Sequence, residues 1–186
     1  MASKVDVCNA ALGMLGATRI TSLTDSSENA RTCNEYYDFA LAAFLEHRNW
    51  PGFLDRAALA ELTDTPAFGW AAQYQLPSDF VRVVKVMDTS ETEIDYVREG
   101  SKILCNTEDT IYLSYVAHDD DPTLLSPKMA WALGRKLAAL IAYKITKSRD
   151  MAEQQEKLFA IEAAEAGTAQ AEQQGHVDQT DPWTVR

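Results

Sequence analysis

Ser126-Pro127-Lys128-Met129-Ala130-Trp131-Ala132-Leu133-Gly134-Arg135-Lys136-Leu137-Ala138-Ala139-Leu140-Ile141-Ala142-Tyr143-Lys144 decides how this chain folds. A serine hydroxyl can accept a hydrogen bond from the first helical turn, and proline at the next position has no N–H to leave unpaired, so the pair opens a helix. Ala130, Leu133, Leu137, Leu140 and Ile141 recur at steps of three and four and line one face. Arg135, Lys136 and Lys144 lie elsewhere, and alanine adds helix propensity. Toward the amino end, Val5, Cys8, Leu12 and Leu15 form a shorter stripe that Ser3 can cap and Gly16 can end. A longer helix follows. Asp25 with Glu28 three positions on has the pattern of a capping box; the stripe Ala30, Cys33, Tyr37, Ala40, Leu41, Phe44 and Leu45 then runs until Pro51-Gly52. After the deciding stretch, Thr146-Lys147-Ser148 is too short to link domains and predicts a tight turn into an antiparallel fourth helix beginning near Arg149. The stripe read there, Met151, Gln154, Leu158, Ile161 and Glu165, is weakly apolar, which places that helix at the rim or against a neighbour.

Between the second and third helices the pattern changes. Pro66, Gly69, Pro77 and Gly100 punctuate short runs rich in β-branched and aromatic residues. Phe80–Val86 and Ile111–Val116 read as strands, while Ile94–Arg98 and Lys102–Cys105 flank Glu99-Gly100-Ser101 as a hairpin. Gly69–Leu76 is a further extended candidate ending at Pro77. The expected fold is α+β and mainly helical: an antiparallel bundle of about four helices, with a small antiparallel β-sheet inserted between helices two and three. Residues 1–166 make one domain with its β region at about 53–116, and residues 167–186 an extended C-terminal tail. The tail is polar and small until Asp181-Pro182-Trp183-Thr184-Val185-Arg186, and a tryptophan there favours docking on a surface, its own or a partner's. Pro182, Trp183, Val185 and Arg186 are the candidate partner-binding residues.

Composition narrows the function. With 186 residues, 46% of them hydrophobic, the chain is long enough for a core that needs neither disulfide nor metal. Lys and Arg total 17 against 28 Asp and Glu, a net charge of -11, which repels phosphate and disfavours general nucleic-acid binding. The acidity is uneven: residues 149–186 hold three bases against eight carboxylates, which reads first as a solubilising face. No apolar run is long enough for a membrane span, and the start lacks a signal-peptide pattern, so synthesis in a cytoplasm is expected. Cys8, Cys33 and Cys105 are far apart without a Cys-x-x-Cys, and read as small apolar residues.

No catalytic, metal or cofactor site is expected. His118-Asp119-Asp120-Asp121 is the one dense run of hard ligands, but it lacks the alternation, central glycine and closing glutamate of a calcium loop, and reads as a solvated turn. His47, His118 and His176 sit in unrelated contexts. There is no nucleophile elbow and no glycine-rich phosphate loop.

Several stretches resemble the tail tubular protein A family, the adaptor or gatekeeper ring of short-tailed bacteriophages (podoviruses). In order they are Val7–Ala17, Ile20–Leu23, Ser27–Arg31, His47-Arg48-Asn49-Trp50, Ala72–Val83, and Asp121-Pro122 leading through Ser126-Pro127 to Ala138-Ala139. They span most of residues 5–165. The resemblance implies a non-enzymatic structural virion protein with no cofactor. It forms a head-tail connector ring of twelve subunits, a dodecamer, that binds the portal protein above and the tail nozzle (a tail tubular protein B-like partner) below. A tail fibre is a further partner, and no membrane is involved. DNA ejection passes through such a ring without specific binding, and a carboxylate-lined channel would keep phosphate from adhering. A head-completion or tail-terminator neck protein, and a soluble protein-binding regulator, are the alternatives.

Overall fold

The computed structural model describes residues 2–171, which form an α+β fold of four long helices and two small antiparallel sheets. Helix α1 covers Lys4–Met14, α2 Glu28–His47, α3 Pro127–Thr146 and α4 Arg149–Ala171. The strands are β1 (Leu54–Leu59), β2 (Ala72–Gln75), β3 (Phe80–Met87), β4 (Tyr96–Glu99), β5 (Lys102–Cys105) and β6 (Ile111–Ala117).

Helix starts follow local chemistry. Ser3 and Asp6 form a full capping box on α1, and Ser126 accepts from the Met129 N–H on α3. For α2 the expected cap at Asp25 is corrected. Ser27 accepts from the Ala30 N–H, because Asp25 is already engaged with the Thr21 and Ser22 N–H groups in the preceding turn. Asn9 pins that loop by exchanging two hydrogen bonds of 2.9 Å with the Ile20 backbone. Lys147 adopts φ 58° and lets the chain reverse from α3 into α4.

Helix α3 is the centre of the bundle. On one side Gly134 lets α1 approach so closely that a Cβ there would lie 3.3 Å from the Ala10 Cβ. On the other, α4 runs antiparallel, with Trp131 and Arg135 bonded to Glu162 and Lys136 to Glu156. Two stripes need correction. Leu140 of α3 is 39% exposed, because helices on both sides draw Ala132, Gly134, Ala138 and Ala142 inward instead. In α4 the buried positions among the described residues are Gln155, Phe159, Ala163, Ala166 and Gly167, which leaves Ile161 57% exposed and Glu165 in solvent. Met151 packs on the core as expected, but from Gln154 onward the expected stripe is out of phase, and Phe159 rather than Leu158 seats against His47, ring centroids 4.9 Å apart. The helix also continues past Ala166 to Ala171, so the first residues assigned to an extended tail are helical.

The β region spans the expected stretch but forms two three-stranded sheets rather than one, ordered β1-β6-β3 and β2-β5-β4. Strand β1 was absent from the expected runs. Its Leu-Asp-Arg-Ala-Ala-Leu has little β propensity and is held by full pairing with β6. One face of the first sheet, with Ile111, Leu113, Tyr115 and Val86, packs on Ala72, Tyr74, Ile103 and Cys105 of the second. Val116, on its other face, joins the helical core. The layers are therefore helices, first sheet, second sheet.

Two chain crossings join bundle to sheets. In the first, Trp50 is fully buried and stacks on Phe44 at 4.2 Å, and its indole N–H donates to the Phe44 carbonyl at 2.8 Å. That carbonyl lies in the last turn of α2, where no intrahelical donor remains. Arg82 of β3 donates to the Glu46 carbonyl of the same turn. Arg48 reaches sideways to the Ala163 and Ala164 carbonyls of α4 and fills the space that Gly167 leaves. In the second crossing the His118 N–H donates to the Asp79 carbonyl at 2.6 Å, and Asp121 caps the short turn Pro122–Leu124. The crossings touch: a Cβ on Gly52 would lie 3.0 Å from the Leu124 carbonyl oxygen.

Candidate interaction surfaces

The even-numbered side of β6 is covered by helices only at its Val116 end. Beyond that, the sheet face opens into a groove of about 650 Å³ lined by Arg56 and Ala58 of β1, Tyr112 and Ser114 of β6, and Lys85 and Met87 of β3. Register places these groups in two rows. Arg56 and Lys85 both stand opposite Ser114, and Ala58 and Met87 both stand opposite Tyr112. A bulge between Val83 and Lys85 gives the first row its second cation, since an unbroken ladder would put Val84 opposite Ser114. Neither Arg56 nor Lys85 belongs to an ion pair among the described residues. Glu91, held at φ 60°, stands at the rim.

A second, shallower groove of about 320 Å³ lies where α3 begins and α4 ends, lined by Pro127, Lys128, Trp131, Glu162 and Glu165. Trp131 is 48% exposed, and its indole N–H and the Arg135 Nε both donate to one oxygen of Glu162. Arg135 also bonds the buried Gln155 at 2.8 Å. Phe39 of α2, Tyr143 of α3 and Ile161 of α4 are exposed as well. Three helices thus each present large apolar side chains to solvent.

Residues singled out in the sequence take up mainly structural positions. Pro182, Trp183, Val185 and Arg186 lie outside the described residues, as does His176. Asp120 pairs with Lys4, which holds its carboxyl below the usual range, and Asp121 serves as a cap. Among the described residues no group of three or more His, Cys, Asp or Glu could hold a metal ion. All three cysteines are free and buried. Cys8 lies beside Cys33, and this contact together with burial pushes the Cys8 thiol far up, while the same contact lowers Cys33. Burial, with the cations Arg48 and Lys136 nearby, lowers the His47 pKa. The Tyr115 hydroxyl, desolvated beside Asp79, is pushed up to about 12.

No family model and no curated protein matches this chain. The residues that carry the resemblance can still be followed in the structure. Asn9 pins a loop, Trp50 caps α2, Arg48 grips α4, and the Tyr74 hydroxyl donates to the Thr107 and Asp109 carbonyls. Each of these side chains holds backbone in place.

Sequence reasoning missed the groove. Arg56 and Lys85 are 29 positions apart in the chain, and only the pairing of both strands to β6 brings them into one row. The one local hint was a cation within the otherwise apolar run Val83-Val84-Lys85-Val86.

Proposed function

We propose that this chain is a structural bacteriophage virion protein, the adaptor ring that joins the capsid portal to the tail nozzle and lines the DNA ejection channel. The observation that carries the reading is the set of large apolar side chains left in solvent on three helices: Phe39 at 69%, Tyr143 at 53% and Ile161 at 57% exposure, with Trp131 beside them in rank. Exposed aromatic and aliphatic groups on several faces suit a subunit that packs side by side with copies of itself and against other proteins. The ordered resemblance to the tail tubular protein A family supplies the kind of assembly. Twelve copies would sit beneath the portal in the virion tail, with the sheets and their loops toward the nozzle. The net charge of -11 supports a channel wall that repels phosphate, so viral DNA would pass without binding. In this reading the protein is not an enzyme and needs no cofactor.

Native mass spectrometry of the chain, alone and mixed with the portal ring encoded beside it, tests this. Addition of a full ring of copies to the portal is expected. A chain that stays a monomer or small oligomer and ignores the portal would sink the adaptor reading and favour a soluble protein-binding regulator. Binding to a tail terminus but not to a portal would favour the neighbouring neck role.

A further inference from the structure

With Arg56 and Lys85 against the single carboxylate Glu91, the open sheet groove is a net basic site on an acidic protein. Arg56 and Lys85 flank Ser114 across three strands, with strands about 4.8 Å apart, so the two cations span about 10 Å of one row. The next row along, Ala58, Tyr112 and Met87, is apolar with one aromatic ring, and lies two residues further on each strand, about 6.7 Å away. An extended segment laid along the strands would therefore fit if it carried a carboxylate and, two residues later, an apolar aromatic.

The chain contains that pattern in Asp181-Pro182-Trp183. Proline biases the residue before it to extended backbone, and alternate side chains of extended backbone point to the same side. Asp181 over the Arg56–Lys85 row would thus bring Trp183 over Tyr112 and Met87. The segment after Ala171 carries Glu172, Asp178 and Asp181 against Arg186 alone. Reach also fits. Helix α4 runs antiparallel to α3 and ends on the sheet side of the bundle, where Gly167 meets Arg48, eight residues before Arg56. Fifteen residues beyond Ala171 span up to about 50 Å when extended. The groove beside Trp131 is closer but is lined by Glu162 and Glu165 against Lys128, which repels an acidic segment.

We propose that the acidic C-terminal segment 172–186 of the same chain occupies the sheet groove, with Asp181 on Arg56 and Lys85 and Trp183 on Tyr112 and Met87. The site is independent of whether the protein forms a ring. A partner that captures the segment would have to displace it from the sheet.

The test uses the full-length chain with a photo-cross-linking phenylalanine derivative in place of Trp183, mixed as light and heavy isotopic forms and mapped by mass spectrometry. Intrachain cross-links to β1, β3 and β6 are expected. Arg56→Glu with Lys85→Glu should reduce them about tenfold, as should 1 M salt, where the Debye length falls to about 3 Å. Adding Asp178→Lys and Asp181→Lys to the double variant should restore them, an outcome that mere misfolding could not produce. Cross-links to the Trp131 groove, cross-links between light and heavy copies, or yields unaffected by the charge changes would each overturn the proposal.

Discussion

Trp50 joins the end of α2 to the start of the β region, and its replacement tests how the bundle is closed. Two variants separate packing from hydrogen bonding. In Trp50→Phe the ring can still stack on Phe44, now 4.2 Å away, but the N–H that meets the Phe44 carbonyl is lost. A last-turn carbonyl left without a donor costs about 1–3 kcal/mol. The smaller ring also leaves about 40 Å³ unfilled, which at about 24 cal/mol per Å³ adds about 1 kcal/mol. The expected loss is about 2–4 kcal/mol. Trp50→Ala removes a fully buried side chain and should cost about 3–5 kcal/mol from the ring alone, a large share of the stability of an ordinary domain. Urea unfolding monitored by circular dichroism measures both, with the slope of the transition checked for constancy. A Phe variant within about 0.5 kcal/mol of the parent, at unchanged slope, would refute the assignment of the indole N–H as a cap, whatever the alanine variant does.

Three further outcomes are expected. Gly167→Ala puts a Cβ onto the Arg48 guanidinium, which must then leave its two carbonyl acceptors. The variant should be destabilised in the parent but stabilised by about 1 kcal/mol in an Arg48→Ala background, where helix propensity alone acts, and thermal melts of the four proteins decide it. Gly134→Leu forces a side chain between α3 and the Ala10 and Val7 region of α1 and should cost at least about 1–3 kcal/mol, measured by the same melts. His47 has a lowered pKa in the folded chain, so protonation favours the unfolded state. Stability should fall as pH drops below about 6.5, and His47→Gln should flatten that part of the pH profile in urea titrations at fixed ionic strength.

Where local chemistry acted alone, the sequence was legible. The stripe from Ala30 to Leu45 is buried at all seven of its named positions, and Ser3 and Ser126 cap the helices they precede. Legibility failed where a partner element chose between near-equal local options. Leu158 and Phe159 offer two phases for α4, and packing against the other helices, with His47 and Lys136 on the Phe159 ring, favours the second. Leu54–Leu59 lacks strand character and becomes β1 because β6 supplies its hydrogen bonds. The groove was hidden for a related reason: its two cations share a row only after three strands pair and one of them bulges.

The two crossings between helices and sheets have a mechanical consequence. Linkers that join layers commonly act as hinges, but here each is riveted within a few residues of its start. Trp50 and Arg48 fasten the first to α2 and α4, and His118 and Asp120 fasten the second to β3's approach and to α1. Gly52 packs closely against the Leu124 carbonyl, so the two crossings also touch each other. A push on the sheets is therefore expected to be passed to the helices through these ties rather than absorbed by bending at the crossings.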